Sequence, residues 1–481
     1  MHAVKLAGLQ PESFFAYFEK LCSIPHGSGN TKAISDYLVS FAQEHGIRYI
    51  QDELDNVLFF QEGTCGYEDH APVILQGHMD MVCEKDEDCP IDMEKEGLDV
   101  THDGEYVFAK GTTLGADDGV AVAYALALLA DKSIPHPPLE VILTVNEETG
   151  MDGAAGVDLS MLKGRTMINL DCGEENIFTV SCAGGARATI TLPVERRAVY
   201  GPCVTLTVEG LQGGHSGIMI HNKLANANKV MGQLLDRIQQ QMPLCITALQ
   251  GGAKDNAIPR SCKATLVVLG MHPEKINEIC QKLEEEIRTQ FDEPEVKIYG
   301  EDADALGGNA LTSQCSAAVI SLLNAVPNGV QAWSKDIEGL VETSLNLGVM
   351  NLEEEFSIAF AVRSSVNQEK ENLLSRLEQV AQFYEGASFR SSGSYPAWEY
   401  LKDSRLQGIM IDLFQKLFDK EAKVIAIHAG LECGFLSEKL PGLDCVAMGP
   451  IMHDIHTSRE KLNIASTQRM WKFLQEILKA L

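Results

Sequence analysis

An uninterrupted apolar run at residues 120–130 stands between two shorter ones, Pro72-Val73-Ile74-Leu75-Gln76 and Leu139-Glu140-Val141-Ile142-Leu143-Thr144-Val145. A helix that is apolar all round must be covered on every side. The shorter runs, ending at Gly77 and Asn146, read as buried strands that feed loops. Met167-Ile168-Asn169-Leu170 adds a third strand of the same kind. Strands alternating with a covered helix predict a largely parallel sheet with helices on both faces. The apolar run is too short for a membrane span, which takes about 20 residues.

Near Ala186 the texture changes. Residues 189–193, 203–209 and 262–269 alternate like half-solvated strands, and helical stretches at 222–241 and 273–290 lie among them. Around Tyr395-Pro396 the first pattern resumes, with a helix at 404–419 and strand-like runs at 423–427 and 445–448. At 481 residues the chain is too long for one ordinary core. The order of textures predicts an α/β domain built from residues 1–186 and 397–481, interrupted by an inserted α+β domain at 187–396 that carries a weak signal of internal duplication.

Charge and cysteine usage narrow the function classes. Lys plus Arg number 39 against 68 Asp plus Glu, a net charge of −29. A surface that acidic repels phosphate backbones and anionic lipid, which argues against nucleic-acid and membrane partners. The first residues, Met1-His2-Ala3-Val4-Lys5-Leu6, lack the apolar segment and small-residue cleavage site of a secretory signal. The thirteen cysteines form no Cys-x-x-Cys pair and are odd in number. Both observations point to reduced thiols and a cytoplasmic location.

Polar residues gather where the buried strands end, the place at which open α/β sheets hold their sites. Gly77-His78-Met79-Asp80 follows the first strand, and in extended chain His78 and Asp80 share a face, so the carboxylate can orient the imidazole. Asp117-Asp118 precedes the apolar helix; either residue can cap it, yet two adjacent like charges between buried elements call for a cation. Asn146-Glu147-Glu148 follows an almost uncharged strand, and two neighbouring glutamates there can divide ligation from proton transfer. Asp171 ends the third strand, and His453 and His456 lie near the C-terminus. Oxygen and imidazole donors without thiolates suit zinc, manganese or cobalt. Residue chemistry alone separates neither Glu147 from Glu148 nor His453 from His456.

This set resembles the co-catalytic zinc peptidases, the family of aminoacylases, glutamate carboxypeptidase and carnosine-cleaving dipeptidases. Within it the chain is similar to the aminoacyl-histidine dipeptidase subgroup, from Pro25-His26-Gly27-Ser28-Gly29-Asn30 to His456-Thr457. Gly111-Thr112-Thr113-Leu114-Gly115-Ala116-Asp117 and His428-Ala429-Gly430-Leu431-Glu432-Cys433-Gly434 carry the subgroup likeness. The resemblance implies two divalent ions per chain, zinc first, with cobalt and manganese as alternatives. His78, Asp117 and Asp171 would hold one, and Asp117, Glu148 and His456 the other. Asp80 would orient His78, and Glu147 would be the general base and acid.

The resemblance also implies that the inserted domain is a lid. In it, His215 of Gly213-Gly214-His215-Ser216-Gly217 would polarise the scissile carbonyl. Asn256 and Arg363, with the backbone N–H of Gly430, would bind a small peptide substrate; an Arg fork suits its carboxylate. Metal-dependent dipeptide hydrolysis, Xaa-His dipeptides included, is the function so implied, and N-acyl amino acid deacylation or tripeptide aminopeptidase activity is the alternative. The resemblance admits a homodimer in which His215 reaches a partner's site. A binding protein without catalysis is disfavoured because no ligand and no Glu147 is lost. A serine hydrolase is disfavoured because no Gly-x-Ser-x-Gly elbow occurs.

Overall fold

The computed structural model describes residues 5–268 and 273–481. Met1 to Val4, which begin the leader reading, and Leu269, the end of one predicted strand, lie outside them. The chain divides into two compact units: Met1–Ser181 with Tyr400–Ala426 and Leu431–Leu481, and Cys182–Glu399 with Ile427–Gly430. The second unit begins a few residues before the expected 187, runs past 396, and takes in a short return at 427–430 that no pattern in the sequence announces.

The first unit is built on an eight-stranded mixed sheet, in the order Arg48–Gln51, Val57–Gln61, Leu139–Thr144, Val73–His78, Thr166–Asn169, Asp444–Ala447, Ile177–Cys182, Lys423–Ile427. Its four central strands, Leu139–Thr144 to Asp444–Ala447, are parallel. Strands Leu139–Thr144 and Val73–His78 are buried at every position, as expected of strands covered on both faces. The apolar run becomes helix Ala116–Ala130, buried along almost its whole length. Tyr124 on it packs against Phe14 of helix Glu12–Cys22 and stacks on Trp471 of helix Ile464–Ala480, and its hydroxyl donates to the Thr467 carbonyl. A small antiparallel sheet, Met452–His453, Lys461–Asn463, Tyr106–Ala109 and Val100–His102, completes this unit.

The second unit carries a nine-stranded antiparallel sheet with four helices, Ala227–Gln239, Pro273–Gln290, Ser313–Ala325 and Asn367–Gln382. One core joins the apolar sides of these helices to alternate residues of the strands. Along Glu355–Ser364 these are Phe356, Ile358, Phe360 and Val362, the period of two that a half-covered sheet requires. Along Leu244–Gly251 the core residues run Leu244, Ile246 and then Leu249, because a bulge after Ile246 shifts the register. Leu345, Leu347 and then Met350 repeat the device on Val341–Leu352. Among the described residues no helix is long and apolar enough to cross a membrane, and the thirteen cysteines form no disulfide.

Candidate active site

His78 is the last residue of its strand, and Glu147 and Glu148 open the short helix Glu147–Gly150 after strand Leu139–Thr144. Asp171 follows strand Thr166–Asn169, Asp117 stands at the start of helix Ala116–Ala130, and His456 lies in the loop after His453. Parallel neighbours end together, His78 opposite Thr144 and Gln76 opposite Asn169. Their side chains therefore emerge at one edge of the first unit's sheet. Asn146 and His456 adopt left-handed backbone, with φ of 58° and 64°, a strain that non-glycine residues tend to carry at functional sites.

Asp117 lies between the two imidazoles. Its Oδ1 is 3.1 Å from His78 Nε2 and its Oδ2 is 3.3 Å from His456 Nε2. Glu148 Oε1 is 2.7 Å from that same His456 nitrogen. Among the described residues, three overlapping groups of donor atoms, each within 4.8 Å of one another, can hold a metal ion: Asp117, Glu148 and His456; His78, Glu147 and Glu148; and His78, Asp118 and Asp171. The first is the trio that the resemblance implies for one ion. The third brings in Asp118 where the resemblance implies Asp117. Asp118, however, accepts the Ala121 amide on Oδ1 and the His78 amide on Oδ2, both at 3.3 Å, so it acts as a helix cap.

Asp80 is buried and sits behind His78, whose Nδ1 is 3.0 Å from the Asp80 backbone carbonyl and 3.4 Å from its Oδ1. It also accepts the Ser28 hydroxyl at 2.7 Å and the Glu147 and Glu148 amides at 3.1 and 3.4 Å. Asp80 thus backs the imidazole with its carbonyl at hydrogen-bond distance, while its carboxylate holds the turn that presents both glutamates.

The electrostatics ask for a cation. Among the described residues no Lys or Arg ion-pairs with Asp80, Asp117, Asp118, Glu147, Glu148 or Asp171. Burial, then the charges of Asp171, Glu432 and Glu148, pushes the Glu147 carboxyl up to about 9, against the pull of His78. Burial and the neighbouring Asp117 push Asp171 up to about 8. Asp117 itself is held below the usual carboxylate range, since its hydrogen bonds to His456 and His78 outweigh burial. Hydrogen bonds to Asp117 and Glu148 push His456 up to about 10. Crowded carboxylates that repel one another around two imidazoles fit a divalent ion, which would relieve that repulsion.

Two supporting residues escape sequence reasoning. Glu460, buried, accepts the backbone amides of Leu114 and Gly115 on Oε2 and of Ala116 and Asp117 on Oε1, at 2.8 to 3.4 Å. It thereby fixes the loop that aims Asp117, as a carboxylate at a helix N-terminus can. Gly77 is the other. A Cβ at that position would overlap the Ala121 Cβ and the Asp118 carboxylate. Gly77→Ala is therefore expected to destabilise the fold by about 1–3 kcal/mol, read as a lower urea midpoint; an unchanged midpoint contradicts the packing described.

The remaining predicted residues belong to the second unit. His215 pairs with Ala257 across a two-stranded ladder, and the Ser216 amide donates to the Asn256 carbonyl at 2.9 Å, so His215 and Asn256 are neighbours. His215 Nδ1 accepts the Gly217 and Ile218 amides at 3.1 and 3.2 Å. That leaves the proton on Nε2, as a donor. Burial and the Arg363 charge lower the His215 pKa, which keeps the ring neutral. Arg363 donates from Nη1 to the Tyr395 hydroxyl at 2.9 Å, while its buried Nε has no partner among the described residues. A buried donor without an acceptor suits an incoming anion. Gly430 ends the segment Ile427–Gly430, in which the Ala429 carbonyl accepts the Ala183 amide.

Known proteins share this architecture. The cytosol non-specific dipeptidase of Escherichia coli (strain K12) is 37% identical over 479 residues, 99% of each chain. The crystal structure of aminoacylhistidine dipeptidase from Vibrio alginolyticus superposes with a TM-score of 0.94 at 36% identity, covering 99% of this chain and 98% of that one. Aminopeptidase PepT from Bacillus cereus, at 15% identity, shares the fold over 98% of both chains with a TM-score of 0.56. The profile described as Peptidase family M20/M25/M40 matches residues 74–480, which takes in every strand end from His78 to His456. A match over that span, with identity to a dipeptidase held end to end, places the chain in the peptidase family M20/M25/M40.

Proposed function

We propose that this protein is a cytoplasmic dipeptidase that works with two divalent ions, zinc first, and takes Xaa-His dipeptides among its substrates. The observation that carries the reading is the position of Asp117, one carboxylate oxygen toward each imidazole. A single residue so placed would serve two ions at once. His78 and Asp171 complete one set, and Glu148 and His456 the other. Nitrogen and oxygen donors without thiolate suit zinc, with cobalt and manganese as substitutes. The lack of disulfides among the described residues and the cytosolic relative favour the cytoplasm.

Bound there, the ions would acidify a water and polarise the scissile carbonyl. The work of the chain's own residues follows from their chemistry. Glu147 takes a proton from the attacking water as the new C–O bond forms, and delivers it to the leaving amine nitrogen as the C–N bond breaks. Asp80 holds His78 and the Glu147 amide in register. The second unit acts as a lid, from which His215 donates Nε2–H to the carbonyl oxygen as charge develops there. Arg363, Asn256 and the Gly430 amide bind the substrate's free carboxylate.

A substrate panel tests this. The purified full chain is offered Ala-His, β-Ala-His, an N-acetyl amino acid and a tripeptide, before and after chelation and after zinc, cobalt or manganese is restored. The dipeptides are expected to be cleaved fastest, with chelation abolishing turnover and added metal restoring it. Preference for the N-acetyl amino acid or the tripeptide would replace dipeptidase by the alternative activity. Turnover indifferent to chelation would remove the metal chemistry.

A further inference from the structure

Beneath the ligands lies a carboxylate that the proposed chemistry does not use. Glu432 is 2% exposed and precedes the short helix Cys433–Lys439 in the first unit. Its Oε2 accepts the Thr144 hydroxyl and the Gln76 side-chain amide, both at 2.6 Å. Gln76 Oε1 accepts the Asn169 side-chain amide at 2.6 Å, and Asn169 Oδ1 accepts the Asp171 backbone amide at 3.3 Å. Glu432 Oε1 is buried with no partner among the described residues.

Thr144, Gln76 and Asn169 stand near the ends of three adjacent parallel strands, Leu139–Thr144, Val73–His78 and Thr166–Asn169. Each is a few residues before a candidate ligand: Thr144 before Glu147 and Glu148, Gln76 before His78, Asn169 before Asp171. A buried carboxylate costs free energy unless its charge is balanced, and an apolar residue would fill the position more cheaply. Among the described residues no Lys or Arg ion-pairs with Glu432. Burial pushes its carboxyl up to about 7, so a nearby cation is what would hold it ionised. The balancing charge is therefore to be sought among ions held by those ligands.

We propose that Glu432 is a positioning residue of the metal centre: its hydrogen bonds tie together the three strand ends that carry His78, Glu147, Glu148 and Asp171, and its unpartnered oxygen supplies negative charge behind them. The inference rests on the metal-centre reading above. It adds a residue to that centre which touches neither ion nor substrate, and it gives a reason for an acidic side chain in the segment His428 to Gly434.

Glu432→Gln separates the charge from the hydrogen bonds, because its amide oxygen still accepts from Thr144 and Gln76. The full chain is stripped of metal, its melting temperature is recorded, and zinc affinity is measured by competition with a chromogenic chelator. The metal-free variant is expected to melt with the metal-free wild type, while its zinc affinity falls roughly 10- to 100-fold, the usual effect of losing a group that supports metal ligands. Wild-type affinity in Glu432→Gln overturns the proposal. Glu432→Asp keeps the charge and shortens the reach, and it is expected to bind zinc more tightly than Glu432→Gln; the reverse order also overturns it. Failure of the metal-centre reading would look different, since the wild type itself would then compete for no zinc.

Discussion

Glu147→Gln is expected to keep both ions and lose turnover by roughly 10²- to 10⁴-fold, the range that one positioned general acid–base supplies. The geometry separates the two adjacent glutamates. Glu148 reaches the His456 imidazole at 2.7 Å and joins Asp117 and His456 in one ligand group. Glu147 has no contact with His456 among the described residues and falls only in the group around His78, which Glu148 shares. Burial and the carboxylates around it push Glu147 up to about 9, so it holds a proton far more readily than a solvated glutamate. A group that must accept a proton and then give it away is served by such an environment. The variant retains the side chain's size and its amide contact with Asp80, so metal content by mass spectrometry is expected to match the wild type. Glu148→Gln is the control, and it should lose metal along with activity. Glu147→Gln within tenfold of wild-type kcat, or depleted of metal, would remove Glu147 from the proton-transfer role.

What could be read from the residues, and what could not, divides along the range of the interactions. The strand ends were legible because each buried run stops abruptly at a polar residue, as at Gly77-His78 and Asn146-Glu147. The helix over Ala116–Ala130 was legible because nothing polar interrupts it beyond its first turn. Asp117 and Asp118 look alike in the sequence, yet one faces two imidazoles while the other caps a helix. Only the fold around them tells which is which. Glu460 serves backbone amides more than 340 positions away, and no local pattern announces such a contact. His453 and His456 are equally hard to rank by spacing. In the structure His453 packs near the Tyr106 ring on the small sheet, and His456 turns to Asp117 and Glu148. The bulges at Ile246 and Leu347 belong to the same class, since each flips a strand's core face without any change in composition.

Asp117→Asn is expected to lose both ions together, and this distinguishes a shared ligand from a private one. The aspartate offers one oxygen to the His78 side and the other to the His456 side. Asparagine has the same shape but a single acceptor oxygen, and its amide nitrogen cannot ligate. Whichever way it turns, one ion loses a donor, and the negative charge that would offset the repulsion between the two ions is gone for both. Removing a mere supporting group costs about 10- to 100-fold in metal affinity, so loss of the shared ligand should exceed that for each ion. Metal content after dialysis is then near zero, where His456→Ala, on one side only, is expected to leave about one ion per chain. The metal-free melting temperature of Asp117→Asn should stay with that of the metal-free wild type, because Glu460 still holds the Ala116 and Asp117 amides in place. Two ions retained in Asp117→Asn would mean that neither depends on it, and one ion retained would assign Asp117 to a single metal. Loss of both without loss of the fold is what a carboxylate placed between two imidazoles requires.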